Sequence, residues 1–104
     1  MLDHQKQLDF FIQNIKCGNF YDAHEDLELL WYPRRFEQSD EVKLLKGFIN
    51  ASVSLELSKK GKTEQAKKVW QTYLKYETLL QNINSSHTPT YRLIAKLLRD
   101  KALL

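Results

Sequence analysis

His24 and Glu28 stand one helical turn apart inside the run GNFYDAHEDLELLW, residues 18–31. An imidazole and a carboxylate at that spacing can share a hydrogen bond, which selects the histidine tautomer and raises its basicity. Such a pair could grip a polar ligand, move a proton or contribute to a metal site. Glu25 follows His24 directly, and Trp31 lies close enough along the same segment to wall a pocket beside it. Asn50, in the next apolar stretch, is the polar group best placed to join them. The plainer reading of the same residues is a satisfied network within a helical bundle, with His24, Glu28 and Asn50 bonded to one another or to backbone and fixing the packing register.

Other chemistries find less to work with. Carboxylate-rich bundles hold paired metals through glutamates and Glu-x-x-His pairs on separate helices. This chain has no Glu-x-x-His, and its other histidines, His4 and His87, fall near the start of the chain and in a loop. The stretch HEDLE supplies ligands from one helix only, so a metal-dependent hydrolase built on His24, Glu25 and Glu28 is the weakest reading. Cys17 sits at a helix end, where the dipole opposes a thiolate. There is no glycine-rich phosphate loop, no G-x-S-x-G and no cysteine pair of zinc type. The residues therefore point to a protein that is not an enzyme, with no catalytic residue, metal or cofactor.

Helices must carry these groups. Three glycines and two prolines leave little punctuation for short strands and tight turns. Leu8, Phe11, Ile12 and Ile15 give a first helix its apolar face, which Gly18 stops. Asn19 is placed to cap a second helix that ends by Tyr32, because Pro33 disfavours helix in the residue before it. On that second helix Phe20, Ala23, Leu27, Leu30 and Trp31 share a face with His24 in its middle, Glu28 on its edge, and Asp22 and Asp26 towards water. PRRFEQS is the connection, and Ser39 starts a third helix running to Lys60. Gly47, Ala51, Ser54 and Ser58 form a small-residue stripe on it that would admit a neighbouring backbone, which makes this helix the central one. After a turn at Gly61, Thr63 caps a fourth helix with Ala66, Val69, Tyr73, Tyr76 and Leu80 on its stripe. Thr88, followed by Pro89, caps a fifth that buries Tyr91, Ile94, Ala95, Leu98 and Ala102.

Short connections make neighbours antiparallel, so residues 1–104 read as one all-α domain, an up-and-down bundle of about five helices. GNFYDAHEDLELLW and GKTEQAKKVWQTYL share a glycine and an alanine at matching offsets, an echo of two helical hairpins rather than of a solenoid array.

Charge is polarised along the chain. Residues 1–41 hold nine acids and four bases, a balance of −5, whereas residues 42–104 hold four acids and twelve bases, a balance of +8. That asymmetry could draw an acidic partner to the second half or bring two copies together head to tail. Lys59, Lys60, Lys62, Lys67 and Lys68 crowd one hairpin tip, which raises nucleic acid as a partner. They accompany no DNA-binding motif and read more simply as a solvated face. The start of the chain lacks the form of a signal peptide and no segment is apolar enough to span a membrane, so the expected location is cytoplasmic.

The signature itself resembles a known family. Glycine, Asn19, the aromatic pair Phe20 and Tyr21, Asp22, Ala23-His24-Glu25, Leu27, Glu28 and Trp31 are similar in order and spacing to the prokaryotic family called domain of unknown function 309. LLKGFINASVSL continues the likeness over roughly residues 10–80, with Gly47 matching and Lys46 and Asn50 standing where that family carries glutamines. The resemblance implies a small all-helical fold and carries no established activity. Together the residues suggest a binding or interaction module for a protein or small ligand, using His24, Glu25, Glu28, Trp31 and Asn50 on the second and third helices. A nucleic-acid role for the lysine hairpin is the alternative.

Overall fold

The computed structural model describes residues 3–102, which form five α-helices and two 3-10 turns. α1 spans His4–Lys16, α2 Phe20–Trp31, α3 Asp40–Lys59, α4 Thr63–Glu77 and α5 Thr88–Ala102, with 3-10 turns at Tyr32–Arg34 and Thr78–Asn82. No strand occurs among the described residues.

α1 begins at Asp3, whose carboxylate accepts the Lys6 N–H at 3.1 Å, and ends at Gly18, whose φ of 78° is costly for any residue with a Cβ. There the Gly18 N–H bonds the Ile15 carbonyl and the Asn19 N–H bonds the Asn14 carbonyl, a Schellman turn. α3 closes in the same way at Gly61 (φ 79°), with Gly61 bonded to Ser58 and Lys62 to Leu57. In both hairpins the residue after glycine starts the next helix through its carbonyl, which accepts from Ala23 in one case and Ala66 in the other. The glycine-to-alanine echo is thus one turn used twice, with a buried alanine where each helix pair closes.

That shared turn also changes the caps expected from sequence. Asn19 and Lys62 are the N-cap residues, with ψ near 68° and 65°, and neither makes a side-chain cap. Asp3 and Ser39, which do cap, are extended at ψ 116° and 148°. Asn19, held by the preceding helix, does not adopt the extended backbone from which its side chain would reach the next turn, and Lys62 has no side-chain acceptor to offer. Thr63 is accordingly the first helical residue rather than the cap. Thr88 is also inside its helix, its hydroxyl accepting the Ser85 N–H.

α3 is central and packs against α2, α4 and α5, while α1 packs on α2 and α5. Phe48 lies at the hub, its ring 6.4 Å from Phe11, 6.1 Å from Tyr73 and 6.0 Å from Tyr91. The small-residue stripe does what its composition suggests. A Cβ on Gly47 would stand 2.5 Å from the Tyr76 Cβ, and the Ser54 hydroxyl donates to the Ala66 carbonyl at 2.7 Å. Ser58 and Ala102, expected on buried faces, are exposed. Leu80 lies beyond the end of α4, in the 3-10 turn.

Candidate functional site

α2 buries Ala23, Leu27 and Leu30 against α1 and α3. At about 100° per residue these three centre the inward arc, and His24 falls roughly 90° from that centre. His24 therefore stands at the border of the apolar face and not in its middle, with Glu28 further towards solvent. Their side chains are 27% and 33% exposed. The His24 Nε2 donates to the Glu28 Oε1 at 3.1 Å, while His24 Nδ1 and Glu28 Oε2 have no hydrogen-bond partner among the described residues.

One ring adjoins the pair and others continue along the helix. The Tyr21 ring lies 5.8 Å from the His24 ring, and Trp31, half-buried, meets Tyr32 edge-on at 6.4 Å. The Lys46 ammonium sits 4.2 Å above the Trp31 ring, a cation–π contact. Beyond the helix, the Arg35 guanidinium lies 3.7 Å from the Tyr32 ring centre and 4.5 Å from that of Phe36. Tyr21 is 61% exposed and Phe36 81%, with Leu29 and Tyr32 also more than half open to solvent. The result is a band of aromatic side chains along the outer side of α2 and the turn after it, with acids on the helix and the cations Lys46 and Arg35 against the rings.

Two expected members behave differently. Asn50 is half-buried on α3 and makes no hydrogen bond to His24 or Glu28 among the described residues. Glu25 is exposed and does not converge on His24, and no three His, Cys, Asp or Glu side chains are grouped to hold a metal among the described residues. Asp26, expected towards water, is half-buried and accepts the Asn14 amide at 2.7 Å. Burial raises its carboxyl above the ordinary range, opposed by that bond and reinforced by Asp22 and Glu25.

The lysine hairpin is solvated. Lys59, Lys60, Lys62, Lys67 and Lys68 are all exposed; Lys59 donates to the Gly18 carbonyl at 2.9 Å and Lys67 approaches Glu64 at 3.8 Å.

A second polar cluster went unseen in the sequence because its members come from separate elements. Tyr91 is buried, and its hydroxyl donates to Glu41 Oε2 at 2.6 Å, so the Tyr91 oxygen is left to accept from His4 Nε2 at 2.8 Å. Ser85 donates to Glu41 at 3.0 Å and Arg34 approaches it at 3.7 Å. The His4 and His87 rings stack at 4.1 Å, and His87 Nδ1 donates to Gln5 Oε1 at 3.0 Å. Burial lowers the His4 pKa, assisted by His87. Burial pushes Glu41 upward, but the bonds from Tyr91 and Ser85 with the nearby cations bring it below the usual carboxylate range. The one available signal was Tyr91 itself, since a buried tyrosine hydroxyl needs a partner.

The same design recurs at Tyr73, which donates to Glu77 at 2.7 Å, while Arg99 donates to that carboxylate through Nε at 3.0 Å and through Nη2. Burial raises both tyrosine pKa values well above normal.

The pattern that defines the domain of unknown function (DUF309) matches residues 8–69, more than half of the chain. The chain belongs to the DUF309 family. No curated protein and no solved structure matches it. The segment matched to DUF309 holds the α2 band, Lys46, Asn50 and the lysine hairpin, and stops before Tyr73 and α5. No helix among the described residues of this DUF309 member is long and apolar enough to cross a membrane.

Proposed function

We propose that this DUF309 member is a non-enzymatic interaction module that captures a protein partner on the outer band of α2, beside α3. The observation that carries this reading is the exposure of Tyr21, Leu29, Tyr32 and Phe36 along and just beyond the helix that presents the half-open His24–Glu28 pair. Exposed rings flanked by groups with unused hydrogen-bonding capacity are the materials of a binding anchor, because rings supply area and the polar pair supplies orientation. With Asp22, Glu25 and Glu28 along the helix and Arg35 against Tyr32 and Phe36, the band suits a partner surface that is apolar, with basic groups opposite α2 and an acidic group opposite Arg35.

A photo-crosslinking residue placed at Leu29, compared in cells with one at Lys68, tests this. The reading expects a discrete adduct from position 29, absent from position 68 and lost in His24→Ala protein that keeps its helical circular dichroism. Equal adducts from both positions, or an adduct indifferent to His24→Ala, would reject it. Nucleic acid at the lysine hairpin has weaker support, because no DNA-binding motif accompanies these lysines and Lys67 faces Glu64. Binding that falls steeply with salt would be its mark.

A further inference from the structure

A groove of about 590 Å³ opens where the start of α2, the last turns of α3, the start of α4 and the end of α5 meet. It is independent of the His24 band. Phe20, Leu55 and Trp70 give it apolar walls, and Lys59, Lys67 and Lys101 stand around it.

The lysines are placed, not merely present. The Lys59 ammonium donates to the Gly18 carbonyl at 2.9 Å and the Lys101 ammonium to the Lys16 carbonyl at 3.1 Å. Both are held by the carbonyl end of α1, where the helix dipole favours cations. A carbonyl orders an ammonium without neutralising it, and no carboxylate lies within 4 Å of either one among the described residues. Each ammonium keeps further N–H groups for another acceptor. Two ordered cations beside aromatic and aliphatic walls are complementary to a molecule that is apolar along its body and anionic at one end. The volume falls within the range of small-molecule sites, and helix ends bound the groove on four sides, so it is short for a partner helix.

We propose that this groove binds a monomeric anionic amphiphile, specifically a medium-chain alkyl carboxylate, with the chain against Phe20, Leu55 and Trp70 and the carboxylate between Lys59 and Lys101. Trp70 is a built-in reporter. In Trp31→Phe protein it is the sole tryptophan, and decanoate titrated below its micelle concentration should change its fluorescence saturably. Decanol and decyltrimethylammonium are the controls for the charge. Lys59→Met with Lys101→Met should weaken decanoate binding about tenfold or more, with little effect on decanol. If that double variant unfolds, Lys59→Met and Lys101→Met taken singly carry the same test, each with a loss of about threefold.

No saturable response to decanoate would overturn the proposal. So would a response as strong to decanol and indifferent to the lysines. A response confined to phosphatidylglycerol vesicles would replace it with a membrane surface.

Discussion

Two histidine–carboxylate arrangements on this chain invite comparison. At one, His4, Glu41 and Tyr91 come from α1, α3 and α5, and Ser85 and Arg34 close around the same carboxylate. At the other, His24 and Glu28 come from one helix and bond only to each other among the described residues. The first links elements dozens of residues apart, so its bonds exist only in the folded state and oppose separation of those helices. The second would form in an isolated α2 just as well, and contributes little that folding needs. Residue type alone does not distinguish a scaffold from a candidate site; connectivity does.

The comparison can be broken at its strong side first. Glu41→Ala removes the acceptor of a buried tyrosine hydroxyl and of Ser85, together with a partner of Arg34. Urea unfolding should show a loss of about 2–3 kcal/mol. Tyr73→Phe sharpens the contrast more gently, since Glu77 keeps Arg99, and the expected loss is about 1 kcal/mol.

Acid provides a third test. The His4 pKa is lowered on folding, so the unfolded chain binds more protons; its contribution is present above the unfolded value of 6.5 and fades as pH falls through the folded one. Glu41 is lowered too, from 4.5, so its contribution is lost in the same direction at more acid pH. Melting temperature should therefore fall as pH drops below 6.5, and His4→Gln should flatten the upper part of that decline. An unchanged slope in His4→Gln would remove His4 as the cause.

The bundle was legible in the sequence because its signals are local. Apolar residues at helical spacing, Gly18 and Gly61 at αL positions, Ser39 as a cap and the small stripe through Gly47 each act within a turn or two. The His24–Glu28 bond was legible for the same reason, being an i,i+4 contact. What escaped was tertiary. The inward arc of α2 is centred by packing on α1 and α3, which moved His24 from the middle of the face to its border. Asn50 shares the right helix but not the hydrogen bond. Lys46 reaches across from α3 to Trp31 through a cation–π contact. No spacing rule joins His4 to Tyr91 across 87 residues.

The smallest effect is the most telling. Unfolding free energy of the His24→Ala/Glu28→Ala double variant, measured beside the native chain, should differ by no more than about 0.5 kcal/mol, as for an i,i+4 pair on a helix surface. A loss above about 2 kcal/mol would place the pair among the supports of the fold and contradict its assignment to the binding surface.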